Sequence, residues 1–185
     1  MEFKKIQLNG FKSFAEKTNF LIENGLTGIV GPNGCGKSNI VESLRWAMGE
    51  TSAKSMRGSG MEDVIFNGTS NKASKNIAEV SIVVDNASHE GPFQYKEMDQ
   101  IEIRRKIEKD KGSKFYINDK EVRARDAQMF FADLSTGAHS PSMISQGRIG
   151  ALVTAKPTDR RAILEEAANI SGLHVRRHEA ELRLN

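Results

Sequence analysis

Eight consecutive residues, Gly31-Pro32-Asn33-Gly34-Cys35-Gly36-Lys37-Ser38, fit the pattern G-x-x-x-x-G-K-[ST]. Glycines at this spacing let the backbone curl until successive N–H groups converge on phosphate oxygens, and the positive end of a following helix adds to the field. Lys37 has the reach to touch the outer phosphates, and the Ser38 hydroxyl can ligate a magnesium ion that bridges them. Cys35 fills a free position of the pattern, so a spacer role suffices for it, although a thiol among N–H groups at a helix start is also set up for reactivity. Binding a nucleotide is not hydrolysing it. The residue that aligns the attacking water commonly ends an apolar strand as Asp followed by Glu, but here Ile82-Val83-Val84-Asp85 is followed by Asn86. Asp85 reads as the end of a structural strand.

The loop needs a strand behind it and a helix in front. Leu26 to Gly31 reads as a buried strand, the third after FKKIQLNGFKSF and TNFLI. From Lys37 to Met48, apolar residues at Ile40, Val41, Leu44, Ala47 and Met48 fall at helical spacing until Gly49 stops the pattern. Residues 51–75 read as loop with a short strand at Val64, Ile65 and Phe66. Strand resumes at AEVSIVVDN, a hairpin around Lys111, Gly112 and Ser113 joins IEIRRKI to KFYI, and Asn118 with Asp119 turns the chain again. Ala127, Phe130, Phe131 and Leu134 mark a second helix ended by Ser135, Thr136 and Gly137, and Pro157 opens a third through Ala167. The charged stretch after Ser171 and Gly172 reads as helical and lacks a C-terminal stop.

With 185 residues, 38% hydrophobic and 28% charged, the chain is long enough for one sizeable core. No apolar run reaches the roughly 18 residues that span a bilayer, the start does not read as a signal peptide, and a single cysteine makes no internal disulfide. A reducing cytoplasm is the expected home. The net charge of +3 demands no polyanionic partner by itself, but nine basic against five acidic residues lie between Ile101 and Arg125. That segment is either an anion-facing surface or an ordinary solvated hairpin.

Several ordered strings carry a resemblance: GFKSF from Gly10, GPNGCGKSNIVESLRWAMGE from Gly31, AKSMRG from Ala53, MEDVIFNG from Met61, ISQGRI from Ile144 and RRAILEEAANISG from Arg160. Together they resemble the N-terminal half of the ATPase head of a structural maintenance of chromosomes (SMC) protein of the bacterial chromosome-segregation type. Asn169 departs from the glycine usual in that family's EEAAG. The resemblance implies an α/β fold of the ABC-type phosphate-loop class, with a mixed sheet, an antiparallel strand lobe and a C-terminal helix leading into a coiled coil. The head lobe would cover residues 1–170 and the start of the coiled-coil arm 171–185. It implies ATP and Mg2+ as cofactors, with Gly31, Pro32, Asn33, Gly34, Cys35, Gly36, Lys37, Ser38 and Asn39 around the phosphates. Gln146 would ligate magnesium with Ser38 and sense the γ-phosphate, Arg57 would touch nucleotide phosphate, and Lys12 would approach the nucleotide.

The same resemblance supplies partners. The C-terminal half of the same head would bring the catalytic Asp-Glu pair, a second head of a homodimer would bring a Ser-Gly-Gly signature, and DNA and accessory regulatory subunits would complete the assembly at the nucleoid. Leu134 to Gly137 and Ser81 to Asp85 mimic the signature and the catalytic strand, but both precede Gln146, in the wrong order. Three other readings stay open on the sequence: a self-sufficient phosphate-loop kinase or nucleotidase, a scaffold binding DNA or a regulatory subunit through Arg104, Arg105 and Lys106, and a related repair ATPase.

Overall fold

The computed structural model describes residues 1–89, 91–134, 143–144, 150 and 153–168. Six strands form one sheet: β1 (Glu2–Asn9), β2 (Thr18–Leu21), β3 (Ile77–Asp85), β4 (Gln100–Glu108), β5 (Gly112–Ile117) and β6 (Lys120–Val122). Their spatial order is β2-β1-β3-β4-β5-β6, and every ladder is antiparallel. The α/β class and the antiparallel lobe are as expected, whereas the parallel pairing of a mixed sheet is absent among the described residues.

Strict alternation decides which face is core. Ile6 and Leu8 of β1, Ala78, Val80, Ile82 and Val84 of β3, Ile101, Ile103 and Ile107 of β4, and Phe115 and Ile117 of β5 all point one way and are buried. Two helices cover that face: α1 (Lys37–Ala47), packed on β3 and β4, and α2 (Ala124–Asp133), packed on β5. Phe130 and Phe131 of α2 fill the core, and Phe130 meets Tyr95 edge to face. A third helix, α3 (Pro157–Ala167), opens at Pro157 as the sequence predicts. The proposed stop of α2 at residues 135–137 and the coiled-coil start from residue 171 lie outside the described residues.

Both expected hairpins are present. The β5–β6 connection is two residues long, with Asn118 (φ 46°) and Asp119 (φ 64°) left-handed, the turn whose twist matches the strands. The short strand expected at Val64–Phe66 is reduced to a 3-10 turn over Met61–Val64 and a single bridge between Ile65 and Phe11. Leu26–Val30 departs further: it forms no strand, and Leu26 and Val30 are 100% and 93% exposed. A strand feeding a phosphate loop normally lies between neighbours in a parallel sheet whose two faces are covered by helices, and the described sheet offers it no neighbour.

One charged residue stands in the buried row of β4. Arg105 is 3% exposed and lies between the Trp46 and Phe115 rings, its guanidinium carbon 4.5 and 4.7 Å from their centroids. Its Nη1 donates to the carbonyls of Trp46 (2.7 Å) and Glu50 (2.8 Å), and its Nε to the Ser113 hydroxyl (2.8 Å). Burial lowers its pKa to about 10, with nearby Glu50 acting in the opposite sense, so it stays charged at neutral pH. The basic stretch is therefore not a continuous anion-facing surface: Arg105 faces the core, and Arg104 on the outer face is paired with Asp119 (2.6 Å). Replacing Arg105 by Met removes three charge-assisted hydrogen bonds, to the Trp46 and Glu50 carbonyls and the Ser113 hydroxyl, each contributing about 1.5–3 kcal/mol, while Trp46 keeps the Gly49 N–H as a second donor. Chemical denaturation of Arg105→Met is expected to show a loss of about 3–5 kcal/mol, the lost bonds being offset in part by burial of the apolar methionine. Arg104→Ala, which breaks an outer-face pair with Asp119 and a cation–π contact with Tyr116 (4.9 Å), should lose less than about 2 kcal/mol.

Candidate functional site

The site is built around the first turn of α1. Gly34 (φ 84°) and Gly36 (φ 96°) adopt the left-handed region, and Gly36 sits at the helix N-cap without a side chain to cap it. A Cβ at Gly36 would lie 2.5 Å from the Ser13 hydroxyl oxygen, so no other residue fits there without movement. The Lys37 ammonium folds back over the loop and donates to the carbonyls of Gly31 and Pro32, both at 2.7 Å, and lies 3.8 Å from Cys35 Sγ. Pro32, Asn33 and Cys35 are exposed around it. The loop is thus gathered about its own lysine.

The GFKSF segment props the helix from behind. Gly10 (φ 63°) passes so close to β3 that a Cβ would stand 2.2 Å from the Ile77 carbonyl oxygen. Phe11, fully buried, packs on Trp46 with ring centroids 5.5 Å apart. Ser13 accepts a hydrogen bond from Asn39 Nδ2 (2.9 Å), and the Lys12 N–H donates to the Val64 carbonyl (2.7 Å). The Lys12 ammonium turns inward, to the Glu42 carboxylate and the Met56 carbonyl (2.5 Å).

Arg57 ends a 3-10 turn over Lys54–Met56 in the left-handed region (φ 54°), and its Nε lies 2.8 Å from Glu42 Oε1. Ser38, Glu42, Arg57 and Ile144 line one pocket with Val41, Arg45 and Ser55. The structure therefore brings together Lys12, residues 31–39 and Arg57. Gln146 lies outside the described residues, two positions beyond Ile144. Asp85, set aside as structural, accepts from the Ala87 N–H (2.8 Å) and sits 3.6 Å from Lys4.

Sequence reasoning missed Glu42. It is buried on α1, and the available signal was its place four residues after Ser38, one helical turn on the same face. No cluster of His, Cys, Asp or Glu suited to a metal occurs among the described residues, and no helix among them is long and apolar enough to cross a membrane.

Residues 2–148 match the family described as RecF/RecN/SMC N terminal domain. The chain belongs to this family and corresponds to the N-terminal half of a bacterial SMC head. Among similar proteins, the chromosome partition protein Smc of Cereibacter sphaeroides is 59% identical over 184 residues, and that of Rhodopseudomonas palustris 55% over 184. Each match covers 100% of this chain and 16% of the relative, so the chain spans about a sixth of the relatives' length. Among solved structures, the SmcHead bound to the C-winged helix domain of ScpA is 30% identical, with a TM-score of 0.84 over 90% of this chain and 50% of that one. The Smc head with an extended coiled coil bound to the C-terminal domain of ScpA, from Pyrococcus furiosus, is 29% identical with a TM-score of 0.84, covering 99% of this chain and 46% of that one.

The loop carrying Arg57 is tied down by Asp63. Its Oδ2 accepts from the Ser59 N–H (2.6 Å), the Ser59 hydroxyl (2.9 Å) and the Gly60 N–H (2.9 Å). These bonds, the Gly60 N–H foremost, hold its carboxyl below the ordinary 3.8. A depressed carboxyl contributes stability that is present above its unfolded pKa and fades as pH falls through the folded one. A side-chain NMR titration of Asp63 is expected to give a midpoint below 3.8. A midpoint at or above that value would mean the turn is not held in this way.

Proposed function

We propose that the chain binds ATP with Mg2+ as part of an SMC head and so drives engagement of two heads in chromosome organisation and segregation on DNA. The observation that carries this reading is the gathered loop at the start of α1, opening beside a pocket that Ser38 and Arg57 share. In this reading the N–H groups around Gly34, Gly36 and Lys37 take the phosphates. Lys37 exchanges its hold on the Gly31 and Pro32 carbonyls for the outer phosphate oxygens. Ser38, with Gln146, ligates the magnesium ion, which neutralises charge between the phosphates when bound. Asn39 stays on Ser13, Arg57 meets phosphate from the side, and Lys12 contributes positive charge behind it.

Hydrolysis is assigned to the C-terminal half of the head, because the described residues show Asp85 engaged in a strand-end turn and followed by Asn86. The exposed apolar run Leu26–Val30 suits docking of that half. The relatives act in chromosome partition, and two of the similar head structures hold ScpA, so a second head, DNA and an accessory subunit of that kind are the proposed partners, in the cytoplasm.

Equilibrium binding of Mg-ATP to the full chain, beside Lys37→Ala, tests the reading. The unaltered chain is expected to bind, and the variant to lose at least about tenfold in affinity with the loss of a charge-assisted contact. Steady-state turnover by this chain without the rest of the head is expected to be absent. Equal affinity in the two forms would overturn the phosphate-loop assignment, and Lys37-dependent turnover would overturn the missing carboxylate.

A further inference from the structure

Glu42 is a buried carboxylate for which nucleotide binding as proposed above has no use. It stands one turn beyond Ser38 on α1, is 5% exposed, and lines the same pocket. A glutamate is rarely buried this far without a partner, and Glu42 has two of opposite character. The Lys12 side chain is 13% exposed and is committed on both sides, to Glu42 and to the Met56 carbonyl. Arg57 is 61% exposed, and its Nε is 2.8 Å from the other carboxylate oxygen.

These two partners do different things. Lys12 neutralises the carboxylate at its buried end, which makes a charge at this depth tolerable. Arg57 is then left over as the net positive charge of the trio. Its Nε meets Glu42 as an ion pair, with Oε1 accepting no aligned hydrogen bond, so the two terminal amino groups of its planar fork remain for another acceptor, in the pocket that Ser38 also lines. An arginine on a loop, at a left-handed residue (φ 54°), has many rotamers to lose before it can meet a ligand. The attraction of the buried carboxylate narrows that freedom in advance.

We propose that Glu42 is a positioning residue for nucleotide recognition: it aims the Arg57 fork at the phosphate chain whose other end rests on residues 31–38, while Lys12 keeps its own charge from repelling the ligand. The assignment rests on the phosphate-loop reading and extends it to a residue that touches no ligand.

A double-mutant cycle in the full-length protein tests it, with Mg-ATP affinity and the thermal unfolding midpoint measured for the unaltered form, Glu42→Gln, Arg57→Ala and the double variant. Each single change is expected to weaken binding about tenfold, a coupling within the range for residues in contact. The double variant should bind no more weakly than Arg57→Ala alone, because without Arg57 there is nothing left to aim. A purely structural Glu42 would lower the unfolding midpoint and weaken binding by the same factor in both backgrounds, and that result overturns the proposal, as does undiminished binding by Glu42→Gln. If Glu42→Gln does not fold, the cycle is run with Glu42→Asp, which keeps the negative charge and shortens its reach to both partners by one methylene, and the same outcomes decide. Failure of the unaltered protein to bind, or binding indifferent to Lys37→Ala, sinks the phosphate-loop reading and this proposal with it. Lys37-dependent binding with an additive cycle sinks the role of Glu42 alone.

Discussion

The geometry of the phosphate loop depends on where α1 is fixed, and α1 is fixed at its far end by one guanidinium. Arg105 reaches out of the core face of β4 and donates to the carbonyls of Trp46 and Glu50, at the helix terminus and in the turn that follows it. Taking an arginine out of water costs several kcal/mol, which a single contact does not return. Here two carbonyls, a serine hydroxyl and two aromatic faces share the guanidinium, and together they offset that cost. The same residue sets the height of the helix above the sheet and its rotation, since Trp46 stacks on it from the helix side.

The near end of α1 is held differently. There the GFKSF turn supplies an ammonium and a hydroxyl, Lys12 on Glu42 and Ser13 on Asn39, while its Phe11 ring runs on to pack against Trp46 at the far end. None of these contacts lies on the open side of the loop. They leave residues 31–35 and Ser38 exposed while removing the freedom of the helix to tilt, which is what a backbone cradle for an anion requires. A helix clamped by a buried cation at its C-terminal end and by a buried anion, Glu42, in its body also has each charge placed where the peptide dipoles make it least unfavourable or where a partner neutralises it.

Much of this was legible in the sequence. The glycine spacing placed the loop, the period of Ile40, Ala47 and their neighbours placed α1, and alternation placed β3, β4 and β5 with their hairpins. Arg105 was also legible in principle, because Ile101, Ile103, Arg105 and Ile107 share one parity of a strand, and a charge on that parity must face inward. Reading the stretch by its total charge hid that. Glu42 was hidden by the opposite habit, since a charged residue in an amphipathic helix reads as solvated until the residues that cover it, Lys12 and Arg57, are known to fold over from distant loops. Such contacts carry no local signal.

Leu26–Val30 is the reading that failed, and its failure is informative about the loop it feeds. An apolar run directly before a phosphate loop has the composition of a central strand, yet a strand is a property of a pair, and the six-stranded sheet ends its own pairing at β2 and β6. Burying Leu26 and Val30 would contribute about 1.5–3 kcal/mol for each side chain, a drive large enough to order the segment once neighbours arrive. On the function proposed above, those neighbours belong to the other half of the head. Ordering the segment would then fix the backbone of Gly31 and Pro32, the two residues whose carbonyls now hold the Lys37 ammonium. On that function, assembly of the head and readiness of the lysine for phosphate would be coupled through five residues of backbone, with no contact between the arriving half and the nucleotide required.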